Sequence, residues 1–346
     1  MHFAVIDCGT TNSRIYLLDE NYKIIKKGNK KIGVRDTVLH GSNEILKSGM
    51  KKLMEETVLS SGLKIQDIKF AITFGMITSE IGLIEIPHRW VPVGINDLAL
   101  NIQVVQDRDI FPLNIPLLFI PGVKNRFKDD ATHEDIRRID FMRGEETQAA
   151  GLLHTYPDLK LPLTMIILSS HTKYVYINSR KQIAGSLTNL SGQVYNAIKK
   201  ETSIGKSLMP NNNSVPPDYF DLKVIESAYN AIKHAGFLRT LLMPRFMEVL
   251  LKNNWYERDL FLDAAISCED LKVLKEFSLL NFSISESNFI LIGHQRRCHL
   301  LKYFLVKHCN IKGEIQTIYK KEEIDQLGVN GAISIAEAAG YLKKIQ

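Results

Sequence analysis

The residues whose types and spacing most clearly suit a binding or catalytic site lie at the start of the chain, in the sequence FAVIDCGTTNSRIYLLDE. The apolar residues 3–6 predict a short buried strand, and residues 14–18 predict a second strand. The turn between them is small and hydroxylic, so its backbone N–H groups can point at an anion. Asp7 ends the first strand, and a carboxylate beside a phosphate requires a cation such as Mg²⁺ between them. The pattern indicates a nucleotide site, although an ordinary β-hairpin with these turn residues explains it equally well.

A second group of charged residues occurs in the sequence MRGEETQ. Arg143 is separated from Glu145 and Glu146 by a flexible glycine, at the entry of a predicted helix. An arginine can bind an anionic substrate, and a carboxylate can remove a proton from a hydroxyl group. The alternative is that both glutamates only complement the helix dipole. We favour the functional interpretation, because Met-Arg-Gly is an unusual entry to a helix.

These groups must be positioned by alternating strands and helices in the first half of the chain. Apolar spacing predicts a helix over residues 43–59, and strands over residues 68–74 and 115–120. The charged residues of MRGEETQ open a helix that begins at Arg143 or Gly144. We expect Gly75 at the end of the first of these strands.

A second strand–turn–strand, LTMIILSSHTKYVYIN, repeats the pattern of the opening. Its first strand ends at residue 168, its turn covers residues 169–172, and its return strand covers residues 173–177; residues 182–189 add a third strand. Two such units half a chain apart predict a duplicated architecture with a cleft between the halves.

The rest of the chain is predicted to contain a loop at residues 210–218, helices at about 221–252 and 260–280, and a closing strand–helix–strand–helix. Each half ends in a helix with Gly and Ala on one face, which predicts two helices that cross closely.

Several motifs suggest chemistry that the spacing does not support. The sequence SIGKS resembles a P-loop, but Lys200 stands where the first glycine is required. No G-x-G-x-x-G follows a strand, so a dinucleotide-binding fold is unsupported. Five residues near the end have metal-ligating side chains without zinc-like spacing: His294, Cys298, His299, His308 and Cys309.

The composition is that of a globular protein rather than a disordered or fibrous one. The 346 residues are 45% hydrophobic and 24% charged, with a formal net charge of +6, and they suffice for two domains or one large one. The basic residues are scattered, which disfavours nucleic acid as a partner and fits a small acidic substrate. Four cysteines without a C-x-x-C pair predict reduced thiols in the cytoplasm. No run approaches the roughly 20 apolar residues of a membrane span.

Taken together, the segments DCGTTNSR, GMITSEIG, MRGEETQ and SSHTKY resemble the 2-keto-3-deoxy-galactonokinase family (2-dehydro-3-deoxygalactonokinases). This family is similar to the ATPase superfamily of actin, hexokinase and Hsp70. The resemblance implies an α/β fold with two ribonuclease-H-like lobes around a nucleotide cleft. The lobes are expected at residues 1–155 and 156–346, the second with a helical insertion at about 215–282.

The resemblance implies a cytoplasmic kinase that transfers the γ-phosphate of ATP to the 6-hydroxyl of 2-dehydro-3-deoxy-D-galactonate. Asp7 would hold Mg²⁺ through water. Glu145 would be the catalytic base, and Glu146 and Asp140 are the next candidates for that role. The implied nucleotide-binding residues are Gly9, Thr10, Thr11, Asn12, Arg14, Ser169, Ser170, His171, Lys173 and Gly293. The implied sugar-acid pocket contains Gly75, Met76, Ser79 and Arg143. The expected partners are ATP and a sugar acid, without nucleic acid or membrane, and a homodimer is one option for the assembly.

Two segments depart from the family pattern and keep alternatives open. The second hairpin usually reads G-T-H-x-K-W, whereas here Ser169 replaces the glycine. Near the adenosine strand, GHQRRC brings the larger His294 and Arg296 where the family has Gly-Thr-Ser. The alternatives are a kinase for another sugar or sugar acid, a phosphate-hydrolysing relative, and a nucleotide-binding sensor with weakened catalysis.

Overall fold

The computed structural model describes residues 1–210 and 214–343, and these form two compact units. Unit 1 comprises Met1–Leu161, Val175–Ser186 and the described residues from Lys321 onward. Unit 2 comprises Pro162–Tyr174 and the described residues of Leu187–Lys320. The lobe boundaries predicted from the sequence, 1–155 and 156–346, stay a prediction.

The described residues form fourteen strands and eleven α-helices. The strands are β1 (His2–Cys8), β2 (Ser13–Leu18), β3 (Ile24–Lys30), β4 (Ile68–Gly75), β5 (Arg89–Trp90), β6 (Gln103–Val105), β7 (Leu117–Phe119), β8 (Val123–Lys124), β9 (Phe141–Met142), β10 (Leu163–Leu168), β11 (Thr172–Ile177), β12 (Ile183–Asn189), β13 (Asn288–Gly293) and β14 (Ile315–Ile318). The helices are α1 (Val34–His40), α2 (Glu44–Leu59), α3 (Ile95–Ala99), α4 (Glu145–Thr155), α5 (Ser191–Glu201), α6 (Ile204–Ser207), α7 (Leu222–Ala235), α8 (Phe237–Val249), α9 (Trp255–Glu276), α10 (Gln295–His308) and α11 (Lys321–Ala338).

The first sheet has the strand order β3-β2-β1-β4-β7-β6. Strand β1 is antiparallel to β2, so that Asp7 pairs with Arg14, and it is parallel to β4, so that Cys8 pairs with Gly75. Helix α2 packs on this sheet through a buried stripe of Leu46, Met50, Leu53 and Met54 at helical spacing. The predicted opening hairpin and the helix at 43–59 are confirmed.

The second sheet has the order β12-β11-β10-β13-β14, with β10, β13 and β14 parallel. The first five strands of the first sheet have the equivalent order: third, second, first, fourth and fifth. This order repeats the ribonuclease-H-like topology twice, which confirms the predicted duplication and the fold class. A small third sheet, β5-β8-β9, was not predicted.

Helices α4 and α11 of unit 1 cross in direct backbone contact. A Cβ atom added to Gly151 would lie 1.8 Å from the carbonyl oxygen of Leu327, and one added to Gly331 would lie 1.8 Å from that of Thr147. Only glycine fits at either position. The predicted crossing of two small-residue helices is therefore confirmed.

The helical region of unit 2 differs from its prediction: α5 was not predicted, and the helix predicted at about 260–280 is α9, Trp255–Glu276. The pattern at about 221–252 forms two helices, α7 and α8, because Gly236 between them adopts φ 76°. This left-handed conformation favours glycine and ends α7. The SIGKS motif forms the short helix α6, and the predicted loop at 210–218 lies partly outside the described residues. Within the described ranges, no helix is long and apolar enough to cross a bilayer.

Candidate active site

The Asp7 carboxylate lies at the carboxyl end of β1 in a charged setting. Its Oδ2 accepts a hydrogen bond from Arg14 Nη1 on β2 at 2.9 Å. Burial raises the pKa of Asp7 above its usual value, and the neighbouring Arg14 opposes that shift. About a quarter of the side chain, 27%, remains exposed, so the carboxylate is accessible to a ligand.

The turn after β1 is oriented by hydrogen bonds to the start of α1. The carbonyl of Gly9 accepts from the N–H of Val34, and that of Thr10 accepts from the N–H of Arg35 at 2.9 Å. Because a trans peptide holds its C=O and the following N–H in opposite directions, the N–H groups of Thr10 and Thr11 point away from α1. Such a turn presents two donors to an incoming anion.

The ends of two other elements meet Asp7. A Cβ added to Gly75, which ends β4 with φ 88°, would lie 2.6 Å from the Cys8 carbonyl oxygen and 3.6 Å from Asp7 Oδ1. A Cβ added to Gly144, which precedes α4, would lie 3.4 Å from the Gly75 Cα. The structure thus brings Asp7, the start of the GMITSEIG segment and the entry of α4 together.

The two glutamates of MRGEETQ differ in their surroundings. Both oxygens of Glu146 accept from the Gly144 N–H, at 2.8 and 2.9 Å, and the side chain is 1% exposed. It lies beside a pocket whose walls include Leu98 and Ala149. Burial, with a smaller contribution from the charge of Glu145, raises the pKa of Glu146 to about 8. Glu145 is the first residue of α4 and is half-buried.

The predicted sugar-acid residues lie on the segments that meet at Gly75 and Gly144. The buried Arg143 guanidinium donates to Thr78 Oγ1 at 2.9 Å, and its Nη2 lies 3.3 Å from His88 Nδ1. Burial lowers the pKa of Arg143. Ser79 Oγ donates to the carbonyl of Met76 at 2.7 Å, which closes a tight turn. Asp140, the other carboxylate considered in the sequence, accepts from Ser186 Oγ at 2.8 Å.

The second hairpin, residues 169–173 in unit 2, packs against the start of α5. A Cβ added to Gly192 would lie 2.1 Å from the carbonyl oxygen of Ser169, and the N–H of Gln193 donates to Ser170 at 2.8 Å. The Ser169 hydroxyl, which replaces the family's glycine, donates to the carbonyl of His171 at 2.8 Å. The extra side chain is therefore satisfied within its own turn. Burial lowers the pKa of His171, with the charge of Lys173 adding to the shift.

Lys173 is more buried than a lysine that binds phosphate at the protein surface needs to be. Its side chain is 5% exposed, and its ammonium donates to the hydroxyl of Thr188 on β12. Gly293 ends β13, where a Cβ would lie 2.6 Å from the Leu168 carbonyl oxygen. The Arg296 side chain is held by Asp263 at 2.7 Å and Asp259 at 2.9 Å.

A buried carboxylate on α9, Asp270, was missed by the sequence reasoning. Its oxygens accept from four side chains on other elements of unit 2: Thr172, Asn189, Ser191 and Arg297. The only local signal is that Asp259, Asp263 and Asp270 recur at helical spacing among the buried residues of α9. Asp325 of α11, which contacts Arg14, was also missed, because nothing near it in the sequence marks it.

The residues around Asp7 fit an Mg²⁺ ion that keeps most of its water. Asp7 offers one partly exposed carboxylate beside the anion-facing turn, and Mg²⁺ is commonly bound by one or two carboxylates together with water and substrate phosphates. In the part of the chain that the structure describes, no group of three or more His, Cys, Asp or Glu side chains is placed to hold a metal ion. The four cysteines are free thiols.

A duplicated ribonuclease-H-like sheet, with a carboxylate and an anion-facing turn at the end of its first strand, defines the actin-like ATPase fold. The sequence model of the 2-keto-3-deoxy-galactonokinase family matches residues 7–302. The chain belongs to this family, which places it among the sugar-acid kinases.

Solved structures support the fold. A Sinorhizobium meliloti protein described as a 2-dehydro-3-deoxygalactonokinase protein superposes on this chain with a TM-score of 0.71 at 15% sequence identity. The superposition covers 99% of this chain and 98% of that protein. A reductive activator for a corrinoid, iron–sulfur protein superposes with a TM-score of 0.51 at 13% identity, over 99% of this chain and 62% of its own. No curated protein sequence matches this chain.

Proposed function

We propose that this protein is an ATP-dependent kinase that phosphorylates the 6-hydroxyl of 2-dehydro-3-deoxy-D-galactonate. The observation that carries the proposal is the convergence of three chain segments in unit 1. Asp7 and its anion-facing turn, Gly75, and the entry of α4 at Gly144 meet within a few ångströms. In this proposal they are the phosphate site, the metal ligand and the helix start that bears the catalytic carboxylate.

In this proposal the N–H groups of residues 9–12 cradle the β- and γ-phosphates of ATP. Asp7 holds Mg²⁺ through water, and the metal would neutralise charge on the phosphates during transfer. Arg14 lies beside Asp7 and is a further cation for the same phosphates. The second hairpin, Ser169 to Lys173, is proposed as another phosphate-binding element, and Gly293 is proposed to lie at the adenosine.

Glu145 is proposed to accept the proton of the attacking hydroxyl. Burial of Glu146 keeps that carboxyl protonated near neutral pH, which makes it a poor base, whereas Glu145 is more exposed at the same helix start. The cation Arg143 is proposed to face the carboxylate of the sugar acid. Its hydrogen bonds to Thr78 and His88 fix the orientation of the guanidinium.

A second candidate is a nucleotide-binding sensor of the same family with weakened catalysis. Lys173 favours it, because this side chain is buried and bonded to Thr188 rather than extended into solvent. The intact first turn and the Arg143–Glu145 segment favour the kinase.

A substrate panel separates these functions. The full chain would be incubated with MgATP and 2-dehydro-3-deoxy-galactonate, its gluconate epimer, the parent aldonates, or no acid. We expect selective phosphorylation of the first compound, with ³¹P–¹H coupling to the C6 methylene protons. Turnover of another acid would indicate a different sugar-acid kinase, and ADP without acid would indicate a hydrolase. Bound ATP without any turnover would indicate the sensor.

A further inference from the structure

Asp325, on the final helix, forms the far end of a line of charges that begins at Asp7. Its carboxylate forms an ion pair with Lys27 on β3, and its Oδ1 lies 3.9 Å from Arg14 Nε. The side chain is only 12% exposed. The mechanism proposed above gives Asp325 no role, although it lies next to a residue of the phosphate site.

Arg14 contacts both carboxylates with different nitrogen atoms. Its Nη1 donates to Asp7 Oδ2 at 2.9 Å, while its Nε faces Asp325. The guanidinium has five N–H donors in a planar fork, so one side chain can bridge two acceptors. The four side chains, Asp7, Arg14, Asp325 and Lys27, carry two charges of each sign. We call them the charge relay cluster.

We propose that Asp325 is a positioning residue that shares Arg14 with Asp7 and thereby sets how readily Asp7 accepts a divalent cation. The inference rests on the proposed function, since Asp7 holds Mg²⁺ only in that reaction. Nothing in the sequence near Asp325 indicates this role.

Arg14 and a hydrated cation compete for the lone pairs of the Asp7 carboxylate. The hydrogen bond from Arg14 occupies one lone pair of Asp7 Oδ2, so a hydrated cation at this oxygen competes with Arg14. A partly buried guanidinium that loses its hydrogen-bond acceptor raises the free energy of the protein unless its N–H groups find another acceptor. Asp325 is already beside Arg14 Nε and supplies that acceptor. Lys27 weakens this effect, because it neutralises part of the Asp325 charge.

Opposite effects are therefore expected for the two neighbours of Arg14. Asp325→Asn removes the second acceptor and leaves Arg14 on Asp7, so more Mg²⁺ is needed. Lys27→Gln strengthens the competition by Asp325, so less Mg²⁺ is needed. A simple long-range field would give the same signs, and only a mutant cycle with Arg14 separates the two explanations.

The experiment measures binding rather than turnover. A fluorescent ATP analogue is bound to the full chain, and MgCl₂ is titrated to find the concentration for half-maximal binding. The variants are Asp325→Asn, Lys27→Gln, Arg14→Gln and the Asp325→Asn/Arg14→Gln double variant. Asp158→Asn, an exposed aspartate outside the charge relay cluster, is the matched charge control.

We expect Asp325→Asn to raise the required MgCl₂ about tenfold and Lys27→Gln to lower it about threefold, with Asp158→Asn unchanged. In the Arg14→Gln background the Asp325→Asn effect should fall below about twofold. An unchanged MgCl₂ requirement in Asp325→Asn, or the same effect with and without Arg14, would overturn the proposal. If the wild-type chain binds no nucleotide at any MgCl₂ concentration, the proposed function fails as well. Melting curves of each variant identify any loss of fold.

Discussion

At the start of α4, two adjacent glutamates have opposite environments. Glu146 points back to the Gly144 N–H and is sealed from water, and burial raises its pKa to about 8. Glu145, at the same helix start, is half-buried. Neighbouring carboxyl groups whose environments separate their pKa values suit different tasks. We therefore assign Glu145 to proton removal and Glu146 to the geometry of the helix entry.

Replacement of the proposed base tests this assignment. Glu145→Gln preserves size and removes the proton acceptor, so we expect kcat to fall on the order of 10²-fold or more, since general bases contribute that much. ATP affinity should change less than about threefold, because the base contacts the hydroxyl and not the nucleotide. Steady-state kinetics and nucleotide binding give both numbers. Unchanged turnover would exclude Glu145 as the base.

The buried Glu146 predicts a dependence of stability on pH. Its pKa is about 8 in the folded state against 4.5 ordinarily, so between these values the folded protein holds a proton that the unfolded chain has lost. The free energy of unfolding therefore decreases as pH rises from about 4.5 to 8, by up to roughly 5 kcal/mol from this group. Glu146→Gln, which cannot ionise, should gain stability relative to wild type over that range.

Urea denaturation at pH 5, 6, 7 and 8 measures this difference. Glu201→Gln, an exposed glutamate, serves as the control and should follow the wild type at every pH. A Glu146→Gln curve that stays parallel to the wild type would contradict the buried-acid interpretation.

Single residues were predictable from the sequence where their chemistry is local. Asp7 and its turn lie within a few positions of one another, and the Arg143–Glu146 segment is continuous, so both could be recognised by spacing. Asp325 could not, because it meets Arg14 only after the chain has returned from the second unit. Asp270 likewise gains its four partners only through tertiary packing.

At the scale of elements, the crossing of α4 and α11 depends on two glycines. A methyl group at Gly331 would lie 1.8 Å from the Thr147 carbonyl oxygen. This oxygen belongs to the backbone of α4, which cannot move aside as a flexible side chain could. Gly331→Ala should therefore destabilise unit 1 by at least about 1–3 kcal/mol, despite the higher helix propensity of alanine. Glu322→Ala on the exposed face of α11 should change stability by less than about 0.5 kcal/mol. Thermal unfolding compares them, and equal stabilities would contradict the close crossing.

The hydrogen bonds of Asp270 join α9 to the second hairpin, β12, α5 and α10. If this hairpin binds phosphate, Asp270→Asn should raise the KM for ATP about tenfold. The reason is that removal of one member of a buried, charged hydrogen-bond network costs about 1–3 kcal/mol of free energy. The KM for the sugar acid should stay unchanged. Glu226→Gln, a carboxylate elsewhere in unit 2 that pairs with His308, is the control. An equal rise of both KM values would show a general loss of structure instead.

Element types were largely predictable, and element ends were less so. Apolar strands bounded by turns and the stripe of α2 have strong periodic signals, and the repeated strand–turn–strand revealed the duplication. The break at Gly236 was not recognised, because the apolar spacing continues through it and only its left-handed backbone separates α7 from α8. The small sheet of β5, β8 and β9 was missed because two-residue strands leave no period to detect.

At the scale of the whole molecule, two sheets with an equivalent strand order occur in one chain of the 2-keto-3-deoxy-galactonokinase family. The first unit contains the Asp7 turn, Gly75 and the α4 entry. The second contains the hairpin that Asp270 holds in place. In the proposed function, the Asp7 site transfers phosphate from ATP to a sugar acid.

The most direct test is the rate of ADP release with and without 2-dehydro-3-deoxy-galactonate, for the wild type and for Asp7→Ala. We expect ADP release to depend on the acid in the wild type and to fall on the order of 10²-fold or more in the variant, because the proposed metal ligand at the phosphates is lost. Asp158→Ala should retain the wild-type rate. ADP release that is independent of the acid, or that survives in Asp7→Ala, would contradict a sugar-acid kinase with its metal site at Asp7.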